Sequence, residues 1–309
     1  MGKWVNGNWI YQLTNSPNYQ LHPITNCLRA ALVVLAVAPP WGMAQIERQA
    51  VQRDGRGVQA YVIDTGIRKS HQAFDGRADW IGDFVGGDPR SADADDCDPG
   101  DGHGTHVADI LAGRTGVAPG ARIHALRILP CTGTTRTDMD ATVRAIDWIT
   151  AHGERPAVVN ISPARWETRD TAVDRAIEQS IAAGFVYVVS AGGFPDLGRY
   201  TPQRVREAIV VGSSTIDNRA VQRDYGPLLT LFAPGANIEA AGRASDSATF
   251  TASGDSYAAP FAAGVTALYL ESHPRATPAE VKRALVDGAF RDRLADVGAA
   301  PNRLLRAIQ

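Results

Sequence analysis

The chain has 309 residues, 44% of them hydrophobic and 21% charged, with a formal net charge of −2. That length and apolar share fit one α/β domain of roughly 250 residues or more. The near-neutral charge gives no electrostatic case for nucleic acid or an anionic membrane surface as a partner.

Residues 1–40 differ in character from the remainder of the chain. Trp4, Trp9, Tyr11 and Tyr19 stand there among many Asn and Gln with little periodicity. The apolar run 30–38 is too short to span a bilayer as a helix, so no membrane span is expected. It is long enough for the core of a secretory signal, and Gly42-Met43-Ala44 offers a small-x-small cleavage site. The basic charge ahead of it is thin, Lys3 and Arg29. A signal-like leader, a degraded leader or pro-segment, and an ordered segment packed on the domain all remain open. The domain proper is expected over 41–309.

Residues 58–64 predict a strand closed by a Thr65-Gly66 turn. Asp64 then sits at a strand C-terminus, where open α/β sheets place their chemistry. A turn-forming aspartate would look the same. An acidic loop comes next with Asp93, Asp95, Asp96, Asp98 and Asp101. Its oxygens suit a structural calcium ion, but it lacks the EF-hand layout and reads equally as a solvated loop. No required cofactor is implied. Beyond the loop, Gly102-His103-Gly104-Thr105-His106-Val107 enters a helix running to Gly113. His103 and His106 lie on one side of it. A metal pair would need a third ligand, and the glutamate of HExxH is missing, so no metal site is assigned and one of the two suits a core histidine.

Strands are predicted at 122–129, 157–161, 185–190, 208–212 and 228–232, with helices at 137–152 and about 168–184. Thr277-Pro278-Ala279-Glu280 is a capping box with proline at N1, opening a last amphipathic helix. This alternation predicts a three-layer α/β fold: a mostly parallel sheet with helices on both faces. Ahead of the last helix, Ser253-Gly254-Asp255-Ser256-Tyr257-Ala258-Ala259-Pro260 delivers a serine into the segment 258–270, apolar on nearly every side. Such a helix belongs in the middle of a domain. Pro260 is expected in its first turn, where N–H groups have no helical partner. Ser256 is thereby placed at a helix N-terminus, which favours nearby negative charge and suits a serine whose attack creates an oxyanion. A simple N-cap reads the same way. Of the three cysteines, Cys27 lies outside the domain, while Cys97 and Cys131 are a disulfide or two buried thiols.

Asp64, His103 and Ser256 are the residue types of a hydrolytic triad: a weak nucleophile, a base to take its proton and a carboxylate to hold the imidazole tautomer. Their order, Asp…His…Ser, is that of subtilisin. With Tyr61-Val62-Ile63-Asp64-Thr65-Gly66-Ile67, His103-Gly104-Thr105-His106-Val107-Ala108 and Ser253 to Pro260, the chain resembles the subtilase family, in its proteinase K and aqualysin branch. The resemblance runs from Pro40-Trp41-Gly42 to Pro301-Asn302-Arg303-Leu304-Leu305. It implies that Asp64, His103 and Ser256 are catalytic, that His106 is structural, and that Gly193 and the Ser256 N–H flank the oxyanion. It also implies substrate-binding edges at Gly133, Ser162, Ala164 and Gly192. A Cys97–Cys131 disulfide is implied too, worth roughly 3–4 kcal/mol in the chain-entropy model, and with it an oxidising, extracytoplasmic compartment.

The pattern breaks at several points. Where the family reads Ala-Gly-Asn, this chain has Ala191-Gly192-Gly193. Loss of that asparagine donor in subtilisin costs about 100- to 1000-fold in rate. Gly-Thr-Ser is here Gly254-Asp255-Ser256, and an ionised Asp255 beside the nucleophile is expected to oppose the developing charge. Ser-Leu-Gly-Gly is here Ser162-Pro163-Ala164-Arg165, which removes a backbone donor from a substrate edge. A calcium-ligand aspartate of the branch falls at Thr215, and a chaperone-like pro-domain is not expected between residue 1 and Trp41. The expectation is a monomeric, secreted serine endopeptidase acting on protein or peptide, slow or narrow in specificity. The alternatives are a subtilase fold that binds peptides or a partner protein without turnover, and an ester hydrolase suggested by Gly254-Asp255-Ser256.

Overall fold

The computed structural model describes residues 40–86, 93–131, 138–162, 166–222 and 225–309, and the main chain of 2–5 and 8–11. The chain divides into two units, Met1–Ala38 and Pro39–Gln309. In the first, β1 (Gly2–Val5) and β2 (Asn8–Tyr11) pair antiparallel. The apolar run 30–38 lies outside the described residues.

The second unit begins with the short helix α1 (Trp41–Gln45) and alternates thereafter. Its first half holds β3 (Gln59–Asp64), β4 (Ala78–Asp83), α2 (His103–Ala112), β5 (Arg122–Arg127), α3 (Met139–His152), β6 (Ala157–Ile161) and β7 (Trp166–Glu167). Then come α4 (Ala172–Ala182), β8 (Val186–Ser190), β9 (Tyr200–Thr201), β10 (Ile209–Ser214), β11 (Leu231–Pro234), β12 (Ile238–Ala241) and β13 (Thr249–Ala252). The chain closes with α5 (Asp255–Ser272), α6 (Pro278–Gly288), β14 (Phe290–Arg291) and β15 (Arg303–Leu304).

Nine strands form one sheet in the order β14-β15-β11-β10-β8-β6-β3-β5-β4. Every pairing in it is parallel except β14 with β15. From β3 the chain goes to β4 at one edge, back in to β5, and then to β6, β8 and β10 on the other side of β3. The order therefore reverses beside β3, where open α/β sheets leave a crevice at the strand C-termini.

Strand periodicity explains the layers. Ala60, Val62, Val158 and Val188 share a core with α2 and α5, while Tyr61, Ile63, Val159 and Val189 share a separate core with α3 and α4. Both sets are fully or almost fully buried, so each strand faces apolar neighbours on both sides and reads as a continuous apolar run. Helix α5 packs against α2, β6, β8 and β10. Its Ala-rich, apolar composition is what a helix surrounded by protein requires.

Two boundaries differ from expectation. Helix α5 starts at Asp255, so Pro260 falls in its second turn, inside the helix. The N–H that proline lacks would have bonded the Ser256 carbonyl. Ser162 Oγ supplies that bond instead, at 2.8 Å. Helix α4 starts at Ala172 rather than near Thr168, because Asp170 Oδ1 accepts from the Ala172 N–H at 2.8 Å and sets the first turn there.

Candidate active site

Asp64 is the last residue of β3, and its carboxyl is fully buried. Its Oδ1 accepts from the Thr65 N–H at 2.8 Å and lies 2.7 Å from His103 Nδ1. His103 opens α2, and a side-chain exposure of 19% leaves its ring open to the crevice. The glycine after it is forced by space: a Cβ at Gly104 would overlap the Gly66 carbonyl oxygen. Only with that close approach does α2 bring its first residue down onto Asp64.

The acidic loop accounts for the rest of this corner. Helix α2 has four N–H groups without helical partners at its start. Asp98 Oδ2 accepts from the Gly102 and His103 N–H groups, Asp96 Oδ2 from Thr105 N–H, and Thr65 Oγ1 from Gly104 N–H. Asp96 is buried and also accepts from Thr65 Oγ1 and Thr105 Oγ1 at 2.8 and 2.6 Å. Burial raises its pKa, against the pull of those donors. These carboxylates complement the positive end of the helix dipole. They are turned to main-chain and hydroxyl donors rather than to a common centre. Among the described residues no three His, Cys, Asp or Glu side chains gather as a metal site. Thr215, the other calcium position, has its carbonyl bonded by the Gln45 side chain at 2.9 Å.

His103 feels opposed effects. Burial alone would lower its pKa; the Asp64 charge and hydrogen bond, with Asp96 and Asp98 behind, outweigh that, and the net shift is upward. His106 shows the other outcome. Fully buried between Phe250 and Tyr257, with ring centroids at 4.2 and 4.7 Å, it is pushed down to about 3, by burial first and the charge of His103 second. It stays neutral wherever His103 titrates.

Ser256 is the second residue of α5 and half-buried. Its neighbour Tyr257 lies 5.4 Å from the His103 ring, so the start of α5 meets the start of α2. Ser256 Oγ donates to the Ser162 carbonyl at a long 3.3 Å, and no hydrogen bond joins it to His103 among the described residues. The Ser256 N–H has no partner among them either, as one of the first N–H groups of α5. Ser162, just past β6, accepts from Asn160 Nδ2 at 2.9 Å and donates to the Ser256 carbonyl. Gly192 and Gly193 form the turn after β8, both in the left-handed region at φ +81° and +74°. Gly133 and Ala164 lie outside the described residues. Cys97 and Cys131 form a disulfide with Cα atoms 5.0 Å apart.

A model of the family described as "Subtilase family" matches residues 55–306. The chain belongs to the subtilase family. It is 41% identical over 277 residues to the extracellular serine proteinase of a Thermus species, covering 86% of this chain and 65% of that one. It is 34% identical over 279 residues to alkaline serine exoprotease A of Vibrio alginolyticus, covering 87% of this chain and 50% of that one. The chain thus spans half to two thirds of these relatives' length. Among solved structures, a cold-adapted subtilisin-like serine proteinase matches with a TM-score of 0.80 and 34% identity, covering 88% of this chain and 99% of that one.

In this subtilase one expectation fails. The Asp255 carboxylate does not face the crevice beside Ser256; it is 5% exposed and turned inward. Gly193 N–H, Ser213 N–H, Ser213 Oγ and Tyr225 O–H all donate to it, at 2.6–2.9 Å. These donors meet the hydrogen-bonding needs of the carboxylate where it is buried. That network is not foreseen from the sequence. The one available signal is an aspartate at the start of an otherwise apolar helix, since a carboxylate there must find donors.

Proposed function

We propose that the chain is a secreted serine endopeptidase in which Ser256 is the nucleophile, His103 its general base and Asp64 the group that orients the imidazole. The observation that carries this is the 2.7 Å bond from His103 Nδ1 to a fully buried Asp64 carboxylate at the sheet's switch point. That bond fixes the tautomer with Nε2 free to take a proton. Ser256 Oγ swings from the Ser162 carbonyl to His103, transfers its proton to Nε2 and bonds the substrate carbonyl carbon. The carbonyl electron pair moves onto oxygen, where the Ser256 N–H meets it at the positive end of α5. Collapse breaks the C–N bond, and the leaving amine takes the proton from His103. Water repeats the sequence on the acyl-enzyme. The long Ser256 contact in the free protein is in keeping with bonds that tighten only when substrate binds.

The Ser162 and Gly192 main chain flanks the serine and, with Gly133 and Ala164, would pair with an extended peptide. The Thermus relative is named as extracellular. Together with the Cys97–Cys131 bridge this supports export, with residues 1–40 as a leader. No helix among the described residues is long and apolar enough to cross a membrane. A second reading, peptide binding without turnover, draws on Gly193, which has no side chain to donate. Casein hydrolysis and fluorophosphonate labelling of the chain beside Ser256→Ala separate the two. Labelling and turnover lost together in the variant support the peptidase; an unlabelled wild-type protein sinks it.

A further inference from the structure

Proton transfer and acyl transfer make no use of the Asp255 carboxylate, yet it joins three segments that converge on the serine. Oδ1 accepts from Ser213 N–H at 2.9 Å and Ser213 Oγ at 2.6 Å, at the C-terminal end of β10. Oδ2 accepts from Gly193 N–H at 2.7 Å, in the turn after β8. The Tyr225 hydroxyl lies 2.7 Å from both oxygens. Burial, and then the Asp255 charge, push the Tyr225 pKa upward, so the phenol remains a donor. Asp255 itself is the first residue of α5, one position before Ser256.

Gly193 is exposed, and a Cβ there would touch nothing within 4 Å. Two successive glycines in left-handed conformations lose much entropy on ordering and offer no side chain to hold them. A charge-assisted bond to a buried carboxylate is about twice as strong as a neutral one. We propose that Asp255 is a positioning residue: its buried carboxylate clamps the Gly192-Gly193 turn to the helix start that carries Ser256, in place of the side chain Gly193 lacks. The Gly193 N–H is thereby committed inward, and the oxyanion is left to the Ser256 N–H, whose distance from the turn the clamp fixes. This role rests on the peptidase reading.

The test compares the wild-type chain with Asp255→Asn. An amide accepts through one oxygen, so its N–H groups stand against either the Gly193 or the Ser213 N–H, and a bond to Gly193 that survives loses its charge assistance. Hydrogen exchange over residues 190–196 reads the clamp without any activity, and protection of Gly193 should fall at least about tenfold, as one lost charge-assisted bond implies. Turnover per fluorophosphonate-labelled site should fall roughly 10- to 100-fold, the size of a small misplacement at a reacting centre. KM for a peptide ester should stay within about twofold, because binding along the strand edges is untouched. Inhibition by a peptide boronate, which forms a tetrahedral adduct, should weaken in step with turnover. If Asp255→Asn fails to fold, Tyr225→Phe removes one donor and keeps the carboxylate; a smaller fall in turnover at constant KM is then expected. Unchanged exchange at Gly193, or unchanged turnover per labelled site whatever the melting temperature does, overturns the clamp. A wild-type chain that neither labels nor turns over overturns the peptidase reading, and the positioning role with it.

Discussion

The two sides of the crevice are built differently. On the His103 side, Asp64, Thr65, Asp96 and Asp98 each accept or donate within the first turn of α2, and Asp64-Thr65-Gly66 and His103-Gly104-Thr105-His106 carry the subtilase resemblance. On the Ser256 side, the helix start is tied to a turn without side chains through Asp255, Ser213 and Tyr225. On the peptidase reading, the first side prepares a proton acceptor and the second sets where negative charge collects. Proton transfer and oxyanion binding then rest on separate supports: carboxylates and Thr65 at the start of α2 on one side, a turn held by a buried carboxylate on the other.

Breaking the His103 side should cost most. Asp64→Asn is expected to lower kcat by about four orders of magnitude, because the wrong imidazole tautomer is then favoured. It also removes both Asp64 contributions that raise the His103 pKa and leaves burial, the largest cause, against only the smaller pulls of Asp96 and Asp98. The base must be neutral to work, so activity falls as pH drops through its pKa. In the wild-type chain that acid limb should lie above the ordinary histidine value of about 6.5, and in Asp64→Asn below it. A kcat/KM profile over pH checks both, and coincident limbs would mean the carboxylate does not govern the base.

The disulfide ties the acidic loop to the segment after β5 across 34 residues. Replacing Cys97 and Cys131 by Ser should lower unfolding stability by about 3–4 kcal/mol, measured by denaturant titration. A loss confined to the His103 side would show as earlier exchange of the α2 amides than of the turn at Gly193.

Gly193→Asn sharpens the comparison from the other side. The site is open, and Asn is among the residues that adopt the left-handed region at modest cost. If the Ser256 N–H is the principal donor now, turnover should rise about tenfold or more, since one such donor is worth about 100- to 1000-fold where it is native. An unchanged rate on any cleaved substrate would show that another donor already serves. Smallest is Ser162→Ala, which leaves the Ser256 carbonyl beside Pro260 without its donor. A cost of about 1–3 kcal/mol in stability is expected for an unmet buried acceptor, with a melting curve as the check.

Much of this architecture is legible in the sequence. The apolar runs at 59–64, 157–161 and 186–190 announce doubly covered strands, and three short motifs place Asp64, His103 and Ser256. What escapes has physical reasons. The strand Ala78–Asp83 is an edge strand whose residues are mostly half-buried, so it lacks an apolar signature. The hairpin of β12 and β13 alternates exposed Thr with half-buried residues on its second strand and is likewise silent. The strand predicted at 228–232 lies at Leu231–Pro234, because the Val210 N–H is taken by the Thr230 hydroxyl rather than by a main-chain carbonyl, and the ladder begins at Leu231. The inward turn of Asp255 depends on Ser213 and Tyr225, 42 and 30 residues upstream, and no local pattern encodes partners at that range.

Pro260 carries a wider consequence. Because the helix cannot close its own second turn, the strand end at Ser162 and the peptide unit of Ser256 share one hydroxyl as a hinge pin. On the peptidase reading, an incoming chain that drew the rim of β6 outward would pull on the first turn of α5 through that hydroxyl, so docking and the aim of the serine would be one mechanical adjustment.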